Sequence, residues 1–261
     1  DVHPSGFERL GNDRDDDCDP STPDAPVGGL TGQVWSWGFW SGLGTGAGVS
    51  STSPVHVTTL PDDVRAVESA FRTGYALLVD GTVRSWGLNH AGELGNGTLT
   101  GSLVPVTVQN VGGGGALGNV VDVSSDSGHA LALLGDGTVR SWGANGSREL
   151  GDGTAQVNRP SPVVVLGEDG EPLSGVAQVD TSNNASFAVM EDGTVKVFGL
   201  DRCVGSITTV TRPVAAANAL YGNDVVQFES GPNGISIIRN ADGSVMTCAG
   251  SPPLLGRPWT T

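Results

Sequence analysis

A short motif returns five times along this chain of 261 residues and limits what the chain can fold into. Each copy opens on a glycine, and the three clearest copies close on a Trp-Gly pair. The opening glycines are 49, 56, 56 and 50 residues apart. The copies are 32–38, 81–87, 137–143, 193–199 and 243–250. A period near 50 residues indicates an architecture in which each copy is one structural unit.

Four of the five motifs lie in the sequence pattern of a β-hairpin. A stretch of alternating apolar residues precedes four of the five motifs, and an Asp-Gly pair joins the two parts. Asp-Gly between alternating segments predicts a tight hairpin, and we expect a type I′ turn because both residue types tolerate positive φ. The pairs are Asp80-Gly81, Asp136-Gly137, Asp192-Gly193 and Asp242-Gly243.

The repeat predicts strands and no helix. Residues 61–72 carry apolar residues at helical spacing, but a shift of 56 residues places Val67 on Val123 and Val179, whose neighbours have a strand pattern. Three or four strands per 50 residues are typical of a propeller blade, whereas a β-sandwich gives no reason for the period. We therefore predict an all-β, propeller-type array of four to five blades over 27–261, after an arm at 1–26.

The combined motifs resemble the regulator of chromosome condensation repeat. The residues that carry the resemblance are 128–134, 136–143 and 149–154. Over residues 27 to about 250, it implies a β-propeller, most often of seven blades, that serves as a protein-binding scaffold, including in secreted bacterial propellers that inhibit enzymes. The family's nucleotide-exchange role does not carry over, because no exchange-loop residues match. Since one motif lacks its preceding strand, we expect a small propeller, a segment of a larger one, or a part completed by a second chain.

The charge balance restricts the partners. Thirteen basic residues stand against 28 acidic ones, which gives a net charge of −15. A nucleic-acid partner needs a basic stripe, and an anionic membrane needs basic residues as well, so we expect neither. No apolar run approaches the roughly 20 residues of a spanning helix, so we expect a soluble chain. The acidic, lysine-poor composition favours an extracellular or periplasmic location.

The arm at 1–26 is acidic and has almost no apolar periodicity. Its alternating carboxylates, Asp13, Asp15, Asp17 and Asp19, resemble the Asp-rich calcium repeats of secreted bacterial proteins. Carboxylate oxygens are ligands that Ca²⁺ prefers, so calcium binding here is one expectation and a solvated acidic tail is the other. We expect no other cofactor. Cys203 and Cys248 either form a disulfide or remain unpaired thiols, with Cys18 left over.

The aromatic residues and histidines divide into structural and candidate binding groups. Trp37, Trp86 and Trp142 recur at one repeat position, so we predict core or inter-blade packing for them. We predict that His129 is a structural hydrogen-bonding residue rather than a catalytic base. Exposed aromatic residues mark protein interfaces or sugar-stacking platforms, or they cover an unpaired first blade. The candidates for such a platform are Trp35, Phe39 and Trp40.

No catalytic motif is recognisable, and we predict a non-enzymatic binding module. The Gly-rich loops vary between copies while the strands stay alike, as expected when a fixed scaffold carries variable recognition. We expect these loops, 42–53, 92–104 and 148–161, to dock a protein partner with a basic face. A carbohydrate-binding or carbohydrate-active propeller and a self-assembling structural protein are the alternatives.

Overall fold

The computed structural model describes residues 32–38, 41–200, 213–215, 224–231 and 235–249. Apart from two short 3-10 turns, Ser41–Leu43 and Val111–Gly113, the regular structure described is all β. The strands are β1 Trp35–Gly38, β2 Ser51–His56, β3 Val64–Ala70, β4 Thr73–Leu78, β5 Val83–Gly87, β6 Ser102–Thr107, β7 Val120–Asp126, β8 His129–Leu134, β9 Val139–Gly143, β10 Arg159–Val164, β11 Val176–Ser182, β12 Ala185–Met190, β13 Val195–Gly199, β14 Val214–Ala215, β15 Val225–Gly231, β16 Ile235–Asn240 and β17 Val245–Ala249.

The strands form five antiparallel sheets in chain order within the described residues. Three sheets are complete four-stranded blades, β3–β6, β7–β10 and β11–β14. The first sheet pairs β1 with β2, and the last contains β15, β16 and β17. The predicted array of four to five blades is confirmed. Val64–Ala70 is a strand, as the repeat predicted against the local helical spacing.

The Asp-Gly hairpins form, but the predicted type I′ turn is wrong. Gly81 N donates to Leu78 O at 3.0 Å, and Leu78 N donates to Thr82 O at 2.9 Å, so three residues make the turn. Gly81 has a φ of +76°, whereas Asp80 is not in the positive-φ region. The Asp80 carboxylate instead accepts the Thr82 N–H at 2.8 Å and its hydroxyl at 2.7 Å. This side-chain bond favours a type I turn with one left-handed glycine.

Neighbouring blades pack through apolar faces that centre on the repeated aromatic position. Trp86 is 4% exposed and Trp142 is fully buried, as is Phe198 at the same position of the next copy. Each indole also reaches back to the preceding blade. Trp86 Nε1 donates to Gly42 O at 2.9 Å, and Trp142 Nε1 donates to Glu93 O at 2.8 Å. The motif therefore ties each blade to the one before it.

Trp37 does not lie in a core, and the prediction that it packs like its equivalents is wrong. Its side chain is 64% exposed, and Trp35 on the same side of β1 is exposed as well. The indole at this repeat position packs on the preceding blade, and the described part of the chain holds no blade before β1. Trp35 stacks on the His56 ring with centroids 5.1 Å apart.

His129 lies between two blades. Its Nε2 is 2.9 Å from the Ser186 hydroxyl, which donates to Glu149 O at 2.7 Å. Burial lowers the pKa of His129 to about 4, so the ring is neutral at physiological pH. The contact joins β8 to the loop after β9 and to the next blade. The ring is enclosed between the two blades, and its structural role stays a prediction.

Candidate binding site: the inner-strand cleft and the loop face

The first strands of the four later sheets lie side by side and line a cavity of about 400 Å³. These strands are β3, β7, β11 and β15, and we call the cavity the inner-strand cleft. The blades are arranged around it because each packs on its neighbour through its apolar faces, which leaves the first strand of each blade at the centre. A cavity of this size is in the range that accommodates small ligands or single side chains.

The lining of the cleft is polar and acidic. Serine, threonine and glutamine side chains alternate with carboxylates along the four strands, and no described lining residue is basic. The acidic residues are Glu68, Asp122, Asp126, Asp180 and Glu229. This composition produces a negative potential at the centre of the blades.

Side chains, rather than a backbone ladder, join the inner strands. Gln178 Nε2 donates to Phe228 O at 2.6 Å, and its Oε1 accepts the Phe228 N–H at 3.2 Å. Asp180 accepts the Ser230 N–H, and the Ser230 hydroxyl donates to Thr181 O at 2.6 Å. Ser124 on β7 donates to Asp180 at 3.2 Å. These bonds hold the walls of the cleft in fixed positions.

Two carboxyl groups of the cleft have strongly raised pKa values. Burial raises the pKa of Glu68 to about 7, and the negative charges of Asp180 and Asp122 add to the effect. Burial also raises the pKa of Asp180 to about 7, although hydrogen bonds from the N–H groups of Thr181 and Ser230 act in the opposite direction and lower it. Both groups therefore change charge near neutral pH. Perturbed carboxyls in a cavity are candidates for a functional site.

Ser125 adds an unsatisfied hydroxyl to the cleft. Its side chain is buried, and its Oγ has no hydrogen-bond partner among the described residues. Ser125 pairs with Ala130, which packs towards the preceding blade, so the hydroxyl lies on the Glu68 side of β7. The equivalent hydroxyl of the next blade, Thr181, is 3.0 Å from Ser124 Oγ. Buried polar atoms without partners are rare in native folds.

The cleft opens towards the predicted binding loops. The turn after β3 and the loop after β5 share one end of their blade, since Leu88 N donates to Arg72 O at 3.1 Å. The same bond recurs from Ala144 N to Gly128 O at 2.8 Å. We call this end the loop face: 41–50, 71–72, 88–101, 127–128 and 144–158. Phe71, which is 75% exposed, and Asp126 lie at the mouth of the cleft on this face.

The bases of the binding loops are more regular than the sequence suggested. Ser85 Oγ donates to Leu94 O at 2.7 Å, and Ser141 Oγ donates to Leu150 O at 2.6 Å in the next blade. Gly97 N donates to Pro160 O at 2.8 Å and so joins the loop after β5 to strand β10 of the next blade. Each of the three loops carries an exposed aliphatic side chain beyond its base: Val49, Leu99 and Val157.

Several predicted sites lie outside the described residues. These are the candidate calcium ligands Asp13, Asp15, Asp17 and Asp19, the aromatic residues Phe39 and Trp40, and the side chains of Cys18, Cys203 and Cys248. The calcium site and the disulfide therefore stay predictions. Within the described ranges, no group of His, Cys, Asp or Glu could hold a metal ion. No described helix is long and apolar enough to cross a membrane.

The sequence reasoning missed the inner-strand cleft. A shift of 56 residues places Glu68, Ser124 and Asp180 at one repeat position, where the copies disagree in charge. That polar position within a strand was a signal. It did not show that four such strands meet around one cavity, because the meeting depends on how the blades pack.

Comparison with known proteins identifies the repeat. The regulator of chromosome condensation (RCC1) repeat matches residues 80–133, and a second model of this repeat matches 120–148. The chain is similar to the E3 ubiquitin-protein ligase HERC2 of Mus musculus, with 36% identity over 149 residues, which are 56% of this chain and 3% of that protein. It is also similar to the ultraviolet-B receptor UVR8 of Arabidopsis thaliana, with 32% identity over 153 residues, 57% of this chain and 33% of the receptor.

Solved structures share the fold. Human WBSCR16 has a TM-score of 0.66 at 18% identity, over 77% of this chain and 51% of that chain. Yeast RCC1 (Prp20), solved with Kap60 bound, has a TM-score of 0.66 at 21% identity. The match covers 84% of this chain and 52% of that chain. The chain spans about half of these structures and a third or less of the two relatives. Residues 80–148 match the regulator of chromosome condensation repeat, and the chain shares the β-propeller fold of these structures, which confirms the predicted resemblance.

Proposed function

We propose that this chain is a non-enzymatic binding module that docks a protein partner on its loop face. The observation that carries the proposal is the series of exposed aliphatic tips on successive loops whose bases are hydrogen-bonded in place. Val49, Leu99 and Val157 each present an exposed apolar side chain on one of these supported loops. A pre-organised loop surface binds with little ordering cost.

The known behaviour of a related propeller supports a protein partner. Yeast RCC1 was solved bound to Kap60, a protein, and it shares the fold of this chain. HERC2 is named as a ligase, but the matched segment is 3% of it, so the repeats themselves need not be catalytic. In this chain, the Ser186–His129 pair is sealed in the core, where no substrate reaches it.

Charge further defines the partner. With a net charge of −15, the chain attracts a partner that presents a basic face, and association slows as salt rises. The same charge opposes contact with nucleic acid or an anionic membrane. The acidic, lysine-poor composition also supports an extracellular or periplasmic location.

Paired surface variants test the docking proposal. The loop-face variant is Leu99→Ser with Val157→Ser, and the matched control is Val79→Ser with Val111→Ser at the opposite end of the blades. Proteins retained by the immobilised wild-type chain are purified, and their Kd values are measured against all three forms. We expect the loop-face variant to weaken binding about ten-fold or more and the control to leave it unchanged. Equal binding by wild type and loop-face variant would reject the proposal.

Carbohydrate binding is the second candidate function, and the exposed tryptophans favour it. Trp35 and Trp37 lie two residues apart on β1, so their rings are on one side of the strand and form an aromatic surface. A glycan array tests carbohydrate binding. It compares the wild type with Trp35→Ala, and Phe71→Ala is the control. Glycan binding lost only in Trp35→Ala would favour this second function over protein docking.

A further inference from the structure

We infer that the inner-strand cleft receives a basic side chain, arginine above all, that the protein partner inserts from the loop face. This inference rests on the proposed docking function and names the chemistry by which the partner is recognised. Its support comes from the charge of the cleft, an unsatisfied hydroxyl within it, and the aromatic residue at its mouth.

The charge of the cleft selects a cation. Five carboxyl groups line about 400 Å³, and no described lining residue is basic. The described residues contain no group arranged to hold a metal ion, so an organic cation fits the cavity better than a bare ion does. A partner docked on the loop face lies directly over the mouth, and a side chain pointing down from it enters the cleft.

The hydroxyl of Ser125 points to a ligand that donates hydrogen bonds. It is buried on the cleft wall without a partner among the described residues, on the side of β7 that faces Glu68. The Glu68 carboxylate already accepts the Ser125 N–H, so the two residues are in contact. A guanidinium has five N–H donors in one plane and satisfies carboxylate and hydroxyl oxygens together, whereas an ammonium is a more compact, strongly hydrated charge.

Phe71 at the mouth favours the same ligand. In the described structure, the guanidinium carbon of Arg72 lies 5.0 Å from the centroid of the Phe71 ring. Arg72 already occupies one face of this exposed ring, so an entering guanidinium would stack on the other face, and cation–π contacts involve arginine more often than lysine. An entering side chain would pass this ring before it reaches the carboxylates.

The cation should bind more tightly as pH rises through neutrality. The charged groups that face the cleft are Glu68 from β3, Asp122 and Asp126 from β7, Asp180 from β11 and Glu229 from β15. The pKa values of Glu68 and Asp180 are about 7, so both carboxyls are largely ionised only above that pH. A bound cation favours the ionised forms, and binding near pH 7 therefore releases protons.

Calorimetry with a capped peptide tests the inference on the full chain. The probe is Gly-Gly-Ser-Arg-Ser-Gly-Gly, and its controls carry lysine or neutral citrulline in place of arginine. We expect binding of the arginine peptide at pH 8, weaker binding of the lysine peptide and none of the citrulline peptide. Glu68→Gln with Asp180→Asn should weaken binding about ten-fold or more, and Ser125→Ala should weaken it a few-fold, roughly two to five. Glu171→Gln, an exposed acid outside the cleft, is the matched control and should leave it unchanged.

Three results would overturn the inference. They are no binding of the arginine peptide by wild type, equal binding of the citrulline peptide, and equal weakening by Glu171→Gln, which would indicate general attraction to an acidic surface. The wild-type comparison of peptides does not depend on whether a variant folds. A partner that loses affinity for the loop-face variant but not for the Glu68→Gln, Asp180→Asn variant would leave docking intact and reject the cleft as a site. The reverse result would reject docking through the loop tips.

Discussion

Two parts of the same blade interface differ in a way that separates structure from recognition. Away from the centre, the interface is apolar, and one position reads Trp86, Trp142 and Phe198 in successive copies, all buried. At the centre, another position reads Glu68, Ser124 and Asp180, and it lines the inner-strand cleft. The first position holds a large apolar side chain in these three copies, and each packs between blades. At the second position the copies differ in charge, so packing does not determine the side chain there and binding specificity is free to develop.

The largest expected effect is on the apolar part of the interface. Trp142→Ala removes a fully buried ring and its bond to Glu93 O, and we expect a loss of about 3–5 kcal/mol in unfolding free energy. Trp37→Ala, at the equivalent exposed position, should cost under about 1 kcal/mol. Urea denaturation compares the two. Similar losses would mean that the Trp37 ring is also buried in solution, which would contradict its exposed position in the structure.

A smaller effect is expected where the binding loops join the blades. Ser141→Ala leaves Leu150 O without its donor in a buried site, and we expect a loss of about 1–3 kcal/mol. The control is Ser53→Ala, because that exposed residue contributes only backbone atoms to its hydrogen bonds with Ser51. Urea denaturation measures the unfolding free energy of both variants. An unchanged Ser141→Ala variant would show that the loop base is not held by this bond.

Much of the fold was predictable because burial imposes a period on the sequence. Val123 and Val179 recur 56 residues apart since both belong to strands that pack against blades, and that spacing outweighed the helical pattern at 61–72. Trp37 shows the limit, because its identity does not reveal whether a blade lies before it. The turn type failed because the Asp80 side chain competes for the Thr82 N–H. The cleft required the arrangement of four strands, which no single repeat encodes.

The pH dependence of stability should distinguish the cleft from the rest of the surface. Glu68 and Asp180 have folded pKa values of about 7 against ordinary values of 4.5 and 3.8. Because these pKa values are raised, the stabilising contribution is complete below about pH 4 and is lost as pH rises through about 7. We expect unfolding free energy to fall between pH 5 and about 8 in wild type and to fall less in Glu68→Gln with Asp180→Asn. The Glu171→Gln control should follow the wild-type curve; a double variant that also follows it would contradict the assignment.

The smallest effect on the fold is expected from the arm. If Asp13, Asp15, Asp17 and Asp19 bind Ca²⁺, Asp15→Asn with Asp17→Asn should abolish the heat of calcium titration. The unfolding midpoint measured in chelator should not change, since the arm at 1–26 precedes the repeats. Equal calcium heats from the variant and wild type would place any calcium site elsewhere, and no heat from wild type would favour a solvated tail.

The central claim is that apolar packing holds the blades together while the inner-strand cleft serves binding at some cost to stability. The most direct test is the unfolding free energy of Glu68→Gln with Asp180→Asn at pH 8, where the wild-type carboxyls repel one another. Neither amide is charged; Glu68→Gln keeps an acceptor oxygen for the Ser125 N–H, whereas Asp180→Asn keeps one oxygen for the two N–H groups, of Thr181 and Ser230, that the two oxygens of Asp180 accept. We predict that the double variant is at least as stable as wild type. A loss of more than about 1 kcal/mol would contradict the account, because the carboxylates would then be holding the blades together.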